Sequence, residues 1–158
     1  MVTLKYINMS SNLHRFHTVQ EKSYDDALQE MKNGKKTSHW MWYIFPQIKG
    51  LGKSDTARKY EIENLDEAVQ YLQDQVLSER IIHLTEILVG EVSSRSAQEI
   101  FGFPDYLKFR SSLTLFDFAV SRNKEIFANE KFSIFAEALN KYYAGKRDER
   151  TLEILRNS

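Results

Sequence analysis

Residues 38–47 read Ser38-His39-Trp40-Met41-Trp42-Tyr43-Ile44-Phe45-Pro46-Gln47, and the fold class turns on this stretch. Its apolar centre, Trp40 to Phe45, is the longest apolar run in the chain. It admits two readings. As a buried strand it has its aromatic residues in favour. As a helix it has Ser38 for an N-cap and a stop before Pro46, because the residue ahead of a proline avoids the α region. A strand needs a partner, and β-branched runs are absent from the flanking sequence. The helix is the expected form, and with it an all-α chain.

Outward from this stretch, apolar residues recur at helical spacing. Asn12 is placed to cap a short helix carrying Leu13, Phe16 and Val19. Ser23, with Asp26 at the third helical position, starts a second with Tyr24, Ala27, Leu28 and Met31 on one face and Gly34 as its stop. Ser54 caps a helix running through Arg58 to Ile62, and Leu65 to Leu72 forms another. Leu77, Ile81, Leu84 and Leu88 fall at i, i+4, i+7 and i+11, an amphipathic pattern ending at Gly90. Ser96 with Glu99 is a capping box closed by Gly102. Pro104 and Asp105 open a helix with Phe109, Leu113, Phe116 and Val120 inward. Asn129 caps one with Phe132, Phe135, Ala136, Leu139 and Tyr142 inward, stopped by Gly145, and a last helix spans about 150–155. The expectation is one domain over 1–158 with seven to nine helices and no significant sheet, residues 1–11 forming a flexible lead.

A chain of 158 residues supports one sizeable core. Hydrophobic residues make up 42% and charged residues 28%, as in ordinary globular proteins. There is no cysteine, so disulfide and thiolate chemistry are excluded and a reducing cytoplasm suits the chain. The start, Met1 to Asn8, lacks the apolar core of a signal peptide, and no run is long enough for a bilayer span. Lys plus Arg equals Asp plus Glu at 22 each, which argues against a dedicated nucleic-acid binder. The charge is unevenly spread. Residues 35–60 hold Lys35, Lys36, Lys49, Lys53, Arg58 and Lys59 against Asp55, whereas 61–79 hold Glu61, Glu63, Asp66, Glu67, Asp74 and Glu79 with no base. The basic block surrounds the aromatic stretch. It reads as a solvated helix face or as a local anion site.

Gly52-Lys53-Ser54 resembles the end of a phosphate-binding P-loop, but that motif needs a glycine at position 47, where Gln47 stands, and a preceding strand. What survives is weaker. Gly50 and Gly52 can expose backbone N–H groups, Lys53 adds charge, and Ser54 opens a helix whose N-terminus favours anions. The alternative is a plain turn with a serine cap. His39, the histidine set among aromatics, would share a helical face with Trp42 and Tyr43, with Trp40, Ile44 and Gln47 adjacent. It is a candidate acid/base or else a neutral core histidine bonded to a backbone carbonyl. Trp40, Trp42 and Tyr43 can stack on a planar ring or fill the core. Lys108, Ser111 and Ser112 share a helical face, with Arg110 elsewhere on the same helix, and can hold a phosphate or carboxylate or form a solvated face. His14 and His17 lack the carboxylate or cysteine set of a metal site, His83 stands alone, and no motif requires a cofactor.

Several phrases, taken together, resemble one family. They are Leu13-x-Arg15-Phe16, Tyr24-x-x-Ala27-Leu28, and Gly34-x-Lys36-x-Ser38 through Gln47. Gly50-Leu51-Gly52-x-Ser54 and Ala57-x-x-Tyr60 follow, then Ile100-Phe101-Gly102-x-Pro104-Asp105-x-Leu107-Lys108-x-Arg110-Ser111-Ser112-x-Thr114-Leu115-Phe116. The chain is similar to the bacterial and fungal domain-of-unknown-function family 1810 over roughly Leu13 to Leu155. The resemblance implies an all-helical single domain and supplies no activity. Some members carry the label calpastatin, which does not suit this chain, since calpastatin-type inhibitors are disordered repeats.

The leading functional expectation is a cytoplasmic binding protein or enzyme for a small, anionic, nucleotide-like ligand. His39 would be the acid/base, Trp40 or Trp42 the stacking platform, and Gln47, Gly50, Gly52, Lys53, Ser54, Lys108, Arg110, Ser111 and Ser112 the remaining wall. The alternative is an interaction module without a pocket, its acidic stretch Glu61 to Glu79 docking a partner such as a second copy.

Overall fold

The computed structural model describes residues 13–157; the expected flexible lead and the Asn12 cap lie outside these. Nine α-helices are found among the described residues: α1 His14–Lys32, α2 Met41–Ile44, α3 Asp55–Tyr60, α4 Leu65–Gln73, α5 Gln75–Gly90, α6 Ala97–Phe101, α7 Asp105–Arg122, α8 Ile134–Tyr143 and α9 Glu149–Arg156. A 3₁₀ turn, Glu130–Ser133, precedes α8. There is no strand among the described residues. A single parallel bridge joins Ile48 to Ile62, with the Ile62 N–H donating to the Gln47 carbonyl at 2.8 Å. The all-α expectation holds, and no described helix is long and apolar enough to cross a membrane.

The hub is α7, which packs against α4, α6, α8 and α9. Six consecutive residues, Ser111 to Phe116, are buried, so this helix is covered on every side there. Two of its buried hydroxyls are bonded locally, whereas the Ser112 Oγ has no partner among the described residues. The Ser111 Oγ donates to the Leu107 carbonyl and the Thr114 Oγ1 to the Arg110 carbonyl, each one turn back. Helices α1 and α8 flank α5, whose Leu77, Ile81, Leu84 and Leu88 are all buried.

Local signals explain most helix ends. The Ser96–Glu99 capping box is present in full, the Ser54 Oγ accepts from the Ala57 N–H, and Asn64, Asp74, Asn129 and Asp148 cap their elements through side-chain oxygens. Three expected details differ. The helix expected from Ser54 through Arg58 to Ile62 ends at Tyr60, because Glu61 is extended and Ile62 joins the bridge to Ile48. The two helices expected over residues 13–31 are one continuous α1, because the Ser23 Oγ donates back to the Val19 carbonyl at 2.9 Å and the hydroxyl is satisfied inside the helix. Ser38 does not cap the aromatic helix. The helix is a single turn, Met41–Ile44, and its N-cap position is Trp40.

Candidate functional site

The region 36–47 is built around a carboxylate that local sequence does not advertise. Glu30, near the end of α1, is buried, and its Oε1 accepts from the Thr37 N–H at 2.7 Å, the Ser38 N–H at 2.9 Å and the Trp40 Nε1–H at 2.9 Å. Burial alone would raise its pKa. The hydrogen bonds from Ser38, Thr37 and Trp40 outweigh that, and the carboxyl is held below its ordinary value. Trp40, 1% exposed, is thereby pinned inside the core, near Phe45. Phe45 in turn packs edge-on to Phe101 and Phe109, with ring centroids 6.1 and 4.9 Å away. The two longest family-like phrases, 34–47 and 100–116, therefore meet in space. The Lys36 N–H closes the seam between them by donating to the Ile100 carbonyl at 2.7 Å.

Above this apolar contact lies a small charged array. Lys36 Nζ is 2.8 Å from Asp105 Oδ2 and 5.1 Å from the Trp40 ring centroid. Lys108 Nζ is 3.6 Å from Asp105 Oδ1 and 5.4 Å from the ring of the half-buried Trp42. One carboxylate thus serves two ammonium groups, and both tryptophans carry a cation over the ring. At 3.6 Å the Lys108 ammonium is held by charge and not by a hydrogen bond, so its protons remain available. The array carries one net positive charge.

The expected site residues divide into groups. Trp42 and Lys108 come together at the seam. Trp40 is core, so it presents no face to a ligand, and the tryptophan left at the surface is Trp42. His39 is exposed. It precedes the helix, so the face it was expected to share does not exist, and its contact there is through its carbonyl, which accepts from the Tyr43 hydroxyl at 3.2 Å. Gln47 is half-buried and engaged through its carbonyl. Lys53 and Ser54 are exposed on the following loop, where Ser54 is a helix cap. Gly50 has φ +106° and Gly52 lies so close to Ala57 that a Cβ would stand 2.5 Å from its Cβ, so turn sterics account for both glycines. Ser111 and Ser112 are buried in the hub, 6% and 0% exposed, away from any surface ligand. Arg110 turns to the opposite side of α7, over Tyr143 and towards Asp148.

The charge blocks also resolve into pairs. Arg15 grips Glu67 through Nη2 at 2.8 Å and donates to the Glu61 carbonyl at 2.7 Å, locking α1 to the α3–α4 connection. Asp74 caps α5 and meets His17 Nε2 at 2.7 Å, and Lys49 pairs with Glu63. Part of the acidic stretch therefore faces the protein's own helices. Sequence reasoning missed Glu30 and Asp105 as organisers. The i, i+3 spacing of Asp105 and Lys108 was available as a signal, whereas the contacts Glu30–Trp40 and Lys36–Asp105 arise only on folding.

No curated protein matches this chain. Among solved structures, the crystal structure of a conserved hypothetical protein from Mycobacterium tuberculosis is similar, with 41% sequence identity and a TM-score of 0.83 over 92% of this chain and 96% of that one. The family model described as "Protein of unknown function (DUF1810)" matches residues 10–155, and the chain belongs to that family.

Proposed function

We propose that this protein binds a small anion bearing a planar ring, of nucleotide-like chemistry, at the seam between residues 36–47 and α7. The observation that carries this reading is the Lys36–Asp105–Lys108 array held against the tryptophans. It leaves a net positive charge and a half-buried indole side by side, the two features such a ligand requires. Lys108 would meet the anionic group and Trp42 the ring. The exposed His39 is the acid/base if a reaction occurs, and the lack of cysteine suits a cytoplasmic setting.

Titration of a nucleotide panel against intrinsic fluorescence and melting temperature tests it. Trp42→Phe separates the surface indole from the core one. Binding should quench emission saturably, and the quench should vanish in Trp42→Phe while Lys108→Ala weakens affinity about tenfold. Absence of any response at millimolar ligand overturns the reading. A protein-interaction face is the second reading, favoured by Phe103, which is 79% exposed beside the same seam. Sedimentation of wild type and Phe103→Ser over a concentration series would then reveal an association that the variant lacks.

A further inference from the structure

We propose a second, separate ligand site: the depression between the C-terminal end of α8 and the start of α9 takes the phosphate of a small phosphomonoester. The depression has a volume of about 520 Å³, within the range of small-molecule sites. Arg110, Lys146, Arg147 and Arg150 line it, against Asp148 and Glu149.

The lining carries four cations against two carboxylates, and one of these carboxylates is largely engaged by the protein itself. Asp148 Oδ2 accepts from the Thr151 N–H at 3.0 Å and the Thr151 hydroxyl at 2.5 Å as the cap of α9. That cap occupies the Thr151 N–H, and the side-chain cations supply the main attraction to an anion. Arg147 is structural. It donates to Asp117 Oδ2 through Nη2 at 3.1 Å and to the Gly145 carbonyl through Nη1 at 2.9 Å, which fixes the turn.

Arg110 is the group with unspent capacity. Its Nε is buried with no hydrogen-bond acceptor, and its Nη2 lies 3.6 Å from Asp148 Oδ1, beyond hydrogen-bond reach. Buried guanidinium donors are rarely left in this state. The side chain keeps 28% exposure and borders the depression, so an anion seated there can accept from the accessible Nη groups of the guanidinium. Lys146 and Arg150 have no side-chain partner among the described residues and stand at the rim. Forked guanidinium groups beside an ammonium match the tetrahedral oxygens of phosphate better than a single carboxylate. Arg110 therefore acts at this site and not at the tryptophan seam, on the other side of α7.

The test is an amide and arginine-Nε NMR titration of the ¹⁵N-labelled full chain with inorganic phosphate, then phenyl phosphate, with chloride at matched ionic strength as control. The expected result is saturable shifts at residues 145–150 and at the Arg110 Nε, tighter for the ester. Arg110→Gln should weaken binding about tenfold, and the exposed double variant Lys146→Ala/Arg150→Ala at least about threefold, which keeps the test valid if Arg110→Gln fails to fold. Non-saturating shifts, equal shifts with chloride, unchanged affinity in both variants, or binding confined to nucleic-acid oligomers would overturn it. Trp42 fluorescence plays no part in this readout, so this site and the seam reading can fail independently.

Discussion

Segment 36–47 and loop 49–54 are neighbours in sequence, and both are basic, yet their cations live differently. In the first, Lys36 is 8% exposed, bonded to Asp105 and set over Trp40, and the backbone ahead of Trp40 hangs on Glu30. In the second, Lys49 pairs with Glu63 at 56% and 50% exposure, and Lys53 is solvated. The comparison teaches that a basic block in sequence says little about where an organised cation will be. What organises a cation is a partly buried carboxylate or a ring from elsewhere in the chain. A solvated pair gains little, because water and salt screen it.

The sharpest way to break this contrast is Trp40→Ala. Truncating a wholly buried indole should cost about 3–5 kcal/mol in chemical denaturation, whereas Trp42→Ala at the half-buried position should cost less than half as much. Next comes Glu30→Ala, which strands the Thr37, Ser38 and Trp40 donors and should lose about 2–4 kcal/mol.

Acid should expose the same group. The folded Glu30 carboxyl lies below its ordinary value, so its contribution is full above that ordinary value and is lost as pH falls through the folded one. Between about pH 5 and pH 3, wild-type stability should therefore fall more steeply than that of Glu30→Gln; parallel profiles would show that the carboxylate charge contributes nothing.

In the loop, Gly52→Ala drives a Cβ to 2.5 Å from that of Ala57 and should cost about 1–3 kcal/mol without touching any charge. The smallest effect belongs to Lys49→Ala and Lys53→Ala. Each should stay within about 0.5 kcal/mol of wild type, and a larger loss would show that the loop's cations are organised after all.

Much of the fold was legible because its signals are local. Apolar spacing places Leu77, Ile81, Leu84 and Leu88 inward, and Ser54, Ser96, Asn129, Gly34 and Gly145 mark element ends where they stand. Such signals depend on backbone geometry within a turn or two, so a linear reading reaches them. The merged α1 escaped because a serine hydroxyl can cap a new helix or bond back within an existing one, and only the surrounding packing chooses.

The site was legible only as a composition of aromatics and lysines. The sequence by itself determined an all-α chain, many of its helix ends, its family phrases and the absence of cysteine chemistry. The tertiary structure alone decided that Trp40 is core and Trp42 surface, that His39 is exposed, that Lys108 and Arg110 serve opposite sides of α7, and that Glu30 and Asp105 anchor the seam. The reason is physical. Helical periodicity is written over three to four residues, whereas a buried carboxylate finds its donors, and a lysine its ring, only when helices distant in sequence are brought together by burial of their apolar faces.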